Sequence, residues 1–596
     1  MPAAPDLVPE SYVDASRVRR RIDPEVRAAV SAAMGLDEPG PLPDAVAVVR
    51  RGAPLPVPGE LILEDGTTLG RLADVPRDAP FGYHRLVDDA GLERLVITGP
   101  GRCHLPSDLR AWGWAIQLAA TRSRESWGIG DLADLRDLSD WAAAAGAGFV
   151  VVGPMSAPNP GPDPEPSPYF PSTRRFGNPL YLRPEEVPGF AGSSSEGHAL
   201  NDDRRIDRAR IWALKRAALE RAWSAGEFDR DAFGAWRLKQ GAAVERWAAF
   251  STLAEPLGPA WRTWPETLRR PAPALAAVDA DRAGFHAWLQ WCFEGQLASA
   301  SEPLRRIADM PVGVDPSGFD AWDWQDQLAT GAAVGAPPDR FNPVGQNWGL
   351  PPFMPYRLRA DGYRAFIDTI RAQLRHAGGL RIDHVLGLFR LWCIPVGAPP
   401  ERGAYVRQPT EELLEIVAIE SERAGAVVIG EDLGTVPAGV RAELRRRRLL
   451  STRLALFERR PPSTWPRQSF AAVSTHDLPT VAGLWSGADL RDLAAAGVAA
   501  DPRSAALLRS RLQRAASLRA GGSAGEVVGA LHRRLAVSSA MLVAATLEDA
   551  LGVAERPNLP GTLAPQRDNW SLALPVPIEE LGAHPRVAAI VEALKR

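Results

Sequence analysis

The sequence predicts an α/β chain: a (β/α)8 TIM barrel with helical insertions, preceded by a small N-terminal β-domain. Two observations predict the barrel. Beyond residue 109, eight apolar runs of strand length alternate with amphipathic helical stretches, the pattern of parallel strands joined by crossover helices. Three of those runs lead into acidic residues, in RIDH, GEDLG and THD, and a parallel barrel brings all such ends to one mouth. A third observation marks the β-domain. Between residues 38 and 108, short strand-like segments are punctuated by turn residues.

Taken in order, residues 1–37 read as a helical lead-in. Residues 38–108 carry AVAVV, GELILEDGTTLG with Asp65-Gly66 as a hairpin turn, YHRLV and RLVITG. Nothing there carries obvious chemistry, so packing and weak ligand binding are equally open. Residues 109–596 form the predicted catalytic barrel. Its strands are WAIQLA (114–119), GFVVVGP (148–154), MPVGVD (310–315), GLRIDH (379–384), AVVIGED (426–432), RLALFE (453–458), FAAVSTHD (470–477) and LVAATLED (542–549). Residues from about 195 to 300 are too long and too helical for one βα unit, which predicts an inserted helical subdomain. No fixed-period repeat is present.

Composition narrows the function. A 596-residue chain that is 45% apolar can bury a large core, and a net charge of −3 gives no general attraction to nucleic acid or to an anionic membrane. Cys103, Cys292 and Cys393 lie far apart without metal-ligand spacing, as expected of free thiols in a reducing compartment. The N-terminus lacks the apolar core of a signal peptide, and the longest apolar stretch, from Trp141 to Pro158, is broken by glycine and proline; a cytoplasmic protein is expected. Lysine occurs only as Lys215, Lys239 and Lys595, none after a glycine-rich loop or at a strand end, which excludes a P-loop and a Schiff-base lysine. The glycines of GAGFVVVG precede their strand, so it is no dinucleotide fingerprint.

The chemistry gathers at the strand ends. Asp383, Glu431 and Asp477 follow three different strands, and three convergent carboxylates repel one another unless partners or chemistry hold them. Asp432 also fits a helix cap. Retaining cleavage of a glycosidic bond uses such a set: one carboxylate attacks the anomeric carbon, a second of raised pKa protonates the leaving oxygen, and a third holds sugar hydroxyls. A divalent-metal site is the alternative, but it lacks accompanying phosphate-binding loops here. Two proline-punctuated segments suit sugars. SPYFPSTRRFGNPLYL (Ser167 to Leu182) follows the second strand, and PPDRFNPVGQNWGLPPF (Pro337 to Phe353) offers aromatic faces for pyranose rings and polar groups for their hydroxyls.

The ordered set SPYFPS, GQNWG, RIDH, GEDLG and THD resembles the amylomaltases, or 4-α-glucanotransferases, of glycoside hydrolase family 77. The resemblance runs from AWGWAIQLAATRSRESWGIGDLADL (Ala111 to Leu135) through NLPGT (Asn558 to Thr562), and the β-domain is similar to the N-terminal module of actinobacterial members. It implies Asp383 as nucleophile, Glu431 as general acid/base and Asp477 as transition-state stabiliser. Arg381 and His384 then orient the nucleophile and bond the donor sugar, His476 bonds the same sugar, and Tyr169 stacks on it, with Ser167 and Asn558 in the substrate site. Asp339, Phe341, Gln346 and Trp348 match a loop arching over the acceptor side, and GAYVRQP (Gly403 to Pro409) a further loop near the cleft. The implied partners are α-1,4-glucans and maltooligosaccharides, as donor and as acceptor, with no metal or organic cofactor. Ser156 stands where related enzymes carry His, and Ser317 where many carry an acid, leaving Asp315 and Asp320 as possible substitutes. Those departures keep open a specialised transferase for a modified or pseudo-oligosaccharide. A non-catalytic glucan-binding relative is the other alternative.

Overall fold

The computed structural model describes residues 7–595 except residue 15 and residues 38–44, 302–303, 340–341, 343 and 519–521. Eight parallel strands close a barrel: β1 (Ala111–Ile116), β2 (Phe149–Val152), β3 (Arg305–Met310), β4 (Gly379–Ile382), β5 (Val427–Gly430), β6 (Leu450–Leu454), β7 (Ser469–Ala472) and β8 (Leu542–Thr546). Their order round the barrel is their order in the chain, and β8 returns to β1 in register from Leu542↔Ala111 to Thr546↔Ala115. Buried on both faces, such strands need continuous apolar runs, which is why FVVV forms β2.

Some boundaries differ from the sequence reading. β1 and β6 each begin three residues earlier than their apolar runs indicate. β3 is Arg305–Met310 and not residues 310–315: Pro311 has no N–H for a ladder, and the strand instead buries Arg306 (3% exposed). β8 stops at Thr546 because that hydroxyl caps helix Leu547–Leu551, accepting from the Asp549 N–H.

The chain divides into two compact units, residues 1–106, 312–316 and 324–451 in the first, and 107–311, 317–323 and 452–596 in the second. In the first, a five-stranded sheet runs in the order Val46–Val48, Glu93–Thr98, Gly82–Asp88, Pro54–Ile62, Thr68–Asp74, around a core of Leu61, Val75, Leu86 and Val96. Helix Thr410–Ala424 packs against it. The buried Glu415 of that helix takes both Arg50 and Arg447, and Tyr83 of the sheet donates to Glu420 at 2.8 Å. The lead-in is only partly helical. A Ser11–Val13/Arg19–Arg21 hairpin precedes helix Pro24–Ala33, because the Asp14 carboxylate accepts from the Ser16 and Val18 N–H groups and closes a turn.

A second sheet of this unit was not legible in the sequence. Strands Gln346–Leu350, Ala332–Ala336, Arg390–Pro395 and Ala404–Arg407 pair antiparallel in that order. Five residues of the proline-punctuated segment 337–353, expected as a loop, are therefore a hairpin arm, Gln346–Leu350, which Gly345 (φ 79°) enters in the left-handed conformation.

In the second unit, four long helices fill the stretch between β2 and β3: Arg208–Ala225, Arg230–Gln240, Ala242–Leu257 and Ala280–Ala300. Asp207, Asp229 and Asp279 cap three of them. Trp223, Phe228, Phe233, Phe285 and Trp288 pack as an aromatic core among them. Helix Ala280–Ala300 lies against Leu132–Ala144, the helix after β1. Among the described residues, no helix is long and apolar enough to cross a membrane.

Candidate active site

In the first unit, β4 and β5 pair in register from Gly379↔Val427 to Ile382↔Gly430. Asp383 and Glu431 therefore leave neighbouring strand ends, at the C-terminal mouth. The pairing continues past the strands: Glu431 N–H donates to the Ile382 carbonyl (3.1 Å) and Val385 N–H to the Glu431 carbonyl (3.0 Å). Arg381 Nη2 lies 3.0 Å from Asp383 Oδ1, the two side chains being 10% and 21% exposed. The guanidinium neutralises and orients that carboxylate.

Glu431 is held through both oxygens. His384 N–H donates to Oε2 at 3.0 Å and Leu433 N–H to Oε1 at 2.6 Å. Burial nevertheless pushes its carboxyl up from the ordinary value, against the pull of Arg381 and of the two N–H groups. A carboxyl shifted in this direction holds its proton more readily, the shift a general acid needs. His384 reaches Glu431 from a left-handed backbone, φ 46° and ψ 59°, which a non-glycine residue adopts at a cost of about 1–3 kcal/mol. Its imidazole is pushed down to about 4 by burial, aided by the Arg390 charge, and so is neutral at physiological pH. Trp348 meets the His384 ring edge-on at 5.2 Å and 80°, and its Nε1–H donates to Gln346 Oε1 at 3.2 Å. Four expected residues of this half, Gln346, Trp348, His384 and Glu431, thus form one chain of contacts. Asp432 serves structure: fully buried, it takes Arg441 Nε (2.7 Å) and Ser451 Oγ (2.6 Å).

In the second unit, His476 and Asp477 follow β7. Asp477, 44% exposed, accepts from Asn558 Nδ2 at 2.7 Å and lies 3.4 Å from His476 Nε2. Tyr169 donates its hydroxyl to Asp309 Oδ2 at 2.7 Å, and its oxygen lies 3.3 Å from His476 Nδ1. The one phenolic proton being committed to Asp309, Nδ1 is the donor in that second contact. The Tyr169 and His476 rings stack at 4.7 Å, and Trp570 closes the cluster at 5.5 Å from Tyr169 and 5.2 Å from His476. Ser167 Oγ accepts the Tyr169 N–H at 3.4 Å and so shapes the turn before that ring.

Asp309 and Trp570 were missed in the sequence. Asp309 has the same signature as Asp383, an acid at the end of a barrel strand, but misplacing β3 hid it. Trp570 carries no local signal. Other expectations fall elsewhere. Asp339 closes a turn with Asn342, bonded in both directions at 2.7 and 3.0 Å. Phe341 lies outside the described residues. Asp320, suggested as a substitute acid, is fully buried and committed: it accepts from Thr173 Oγ1 (2.8 Å), the Arg174 N–H (2.9 Å) and Arg175 Nε (3.0 Å). It anchors the segment that carries Tyr169. Ser156 bridges to Gly177 at the base of the same segment. Among the described residues, no group of three or more His, Cys, Asp or Glu is arranged to hold a metal ion.

Comparison with known proteins gives a consistent result. The Glyco_hydro_77 family, described as 4-alpha-glucanotransferase, matches residues 116–577. A 4-alpha-glucanotransferase of Mycobacterium tuberculosis is 42% identical, over 89% of this chain and 82% of that protein. One from Haemophilus influenzae is 34% identical, over 69% and 66%. Among solved structures, an amylomaltase from Corynebacterium glutamicum superposes with a TM-score of 0.87 at 29% identity, covering 99% of this chain and 98% of that one. An amylomaltase from Streptococcus agalactiae shares the fold, with a TM-score of 0.68 at 19% identity over 81% and 98%.

Proposed function

Since the chain belongs to the family 77 4-alpha-glucanotransferases, we propose that its Asp383, Glu431 and Asp477 carry a retaining double displacement on α-1,4-glucans. The enzyme transfers glucan segments, and the assignment of its residues is our reading. Asp383 Oδ attacks the anomeric carbon of the donor while Glu431 gives its proton to the departing glycosidic oxygen; the C1–O bond breaks and a glucosyl ester forms. The 4-hydroxyl of a second glucan then enters, Glu431 takes its proton, the new C1–O bond forms and Asp383 is released. Asp477, braced by Asn558 and beside His476, holds sugar hydroxyls and favours the oxocarbenium-like transition state. Tyr169 stacks on the donor sugar, and the hairpin bearing Gln346 and Trp348 faces the acceptor. Maltooligosaccharides serve in both roles.

One observation carries the reading: two adjacent strand ends present a carboxylate paired with a guanidinium and a carboxyl whose pKa burial raises. Nucleophile and acid need these two opposite environments. The test is maltotriose with products resolved by size. Glucose with longer maltodextrins is expected; glucose with maltose alone would make the enzyme a hydrolase. Trapping with an activated fluoro-sugar should place the mass shift on Asp383, and a shift on another residue would refute the assignment.

A further inference from the structure

The end of β8 holds an acid that the transfer mechanism above does not use. Glu548, the second residue of helix Leu547–Leu551, is 8% exposed, and its carboxyl accepts its own backbone N–H; among the described residues it forms no ion pair with an arginine, lysine or histidine. Its neighbour Asp549 is committed to structure, accepting the Val481 N–H at 2.9 Å. Glu548 instead lines a partly open pocket together with Gln117 from the end of β1, Tyr181, Arg208 and Trp570. Trp570 is the shared wall: it lines the cavity and also packs on Tyr169 and His476. A carboxyl whose lone pairs are met only by its own backbone N–H keeps acceptor capacity for a ligand hydroxyl. An amide, a phenol, a carboxyl and an indole around one chamber are the groups that bind a sugar ring and its hydroxyls.

We propose that Glu548 determines donor specificity, hydrogen-bonding a hydroxyl of the glucan unit that extends from the Tyr169 site past Trp570 into this cavity. The inference rests on the transferase reading. Burial pushes the Glu548 carboxyl up to about 7, so below that pH it both donates and accepts, and above it only accepts. The charges around it are otherwise engaged. Arg204 faces Glu555 at 3.4 Å, Arg556 is held by Asp489 and Arg567 by Asp492 at 3.0 Å, while Arg208 donates to the Trp570 carbonyl at 2.6 Å. Asp568 pairs with Arg205 at 2.6 Å. His476 also acts on Glu548 through its charge.

The test compares Glu548→Leu, Glu548→Gln and the wild-type enzyme with maltotriose and maltoheptaose as donors. Glu548→Leu should raise KM for maltoheptaose by about five- to tenfold, the loss of one hydrogen bond in a buried site, with a smaller change in kcat. Glu548→Gln, which donates and accepts at any pH, should recover most of that loss. It should also lack the rise in KM that is expected of the wild type as pH passes about 7. If Glu548→Leu melts at room temperature, the pH comparison of Glu548→Gln with wild type decides alone. An unchanged maltoheptaose KM, or a pH step that persists in Glu548→Gln, overturns the inference while leaving transfer intact. Absence of maltotriose disproportionation by the wild type would instead overturn the transferase reading.

Discussion

Trp348→Ala should turn part of the transfer into hydrolysis. The indole packs edge-on against His384 at 5.2 Å and gives an N–H bond to Gln346 at 3.2 Å. The aromatic pair is worth about 0.5–1.5 kcal/mol beyond burial. Through the His384 N–H, its loss reaches Glu431 and slows every step that needs the acid/base, whichever nucleophile accepts the sugar. Under the acceptor role proposed for Trp348, the face it offers to the acceptor glucan is a separate contribution of about 1–3 kcal/mol, and water does not use it. Losing it therefore shifts the partition between sugar and water by about one to two orders of magnitude. The assay is maltotriose turnover with two simultaneous readings, glucose released and total reducing ends. Transfer leaves reducing ends constant and hydrolysis adds one per event, so their ratio isolates the acceptor contribution from the shared loss. Trp348→Phe, which keeps a ring and loses the N–H, should lie between. A ratio unchanged in Trp348→Ala, with both activities reduced together, would show that the indole only supports its hairpin and would refute the acceptor role.

Asp383→Asn should abolish turnover with the melting transition preserved, whereas Glu431→Gln should still form the covalent ester from an activated fluoride donor and then stall; near-normal rates in Asp383→Asn would reject the nucleophile assignment. The raised Glu431 carboxyl predicts a stability difference of known sign. Because its folded pKa exceeds its unfolded value, the wild type loses stability as pH rises through that pKa, so Glu431→Gln should be the more stable protein at about pH 8, with the advantage vanishing in acid, as read from thermal melts. The opposite trend would contradict the burial of that group. Asp320→Asn weakens the partner of Arg175 and of the Arg174 N–H in a buried network while Asp323 still pairs with Arg175, and should cost about 1–3 kcal/mol in denaturant unfolding; no measurable loss would show that the network is not the anchor described.

Asp383 and Glu431 were legible because a barrel strand announces itself by apolar residues and an acid at its end interrupts them. Asp309 obeys the same rule yet escaped, since two arginines open its strand and Pro311 follows it, so the apolar run was read past the true end. The four-stranded antiparallel sheet escaped for another reason. Its strands lie far apart in the chain, and prolines on either side of Gln346–Leu350 imitate a loop. The Tyr169–His476–Trp570 cluster joins three segments remote in sequence, and no local pattern connects them. The committed role of Asp320 is equally non-local in origin. Acid letters near a strand end look alike whether they face a substrate or, as here, an arginine of another segment.

The two backbone amides that grip Glu431 have a consequence for the traffic of protons. Each oxygen is tied to an N–H, which holds the carboxyl in one orientation; under the acid/base role proposed for Glu431, the atom that surrenders a proton to the departing sugar is then the one positioned to recover it from the incoming hydroxyl. Each complete cycle then returns the site to its starting protonation without borrowing from bulk water. The bond made is also of the same kind as the bond broken, so no chemical gradient drives the exchange. What such a site does to a pool of glucans is shuffle lengths toward the most disordered distribution, at constant bond number, with mixing entropy as the only thrust.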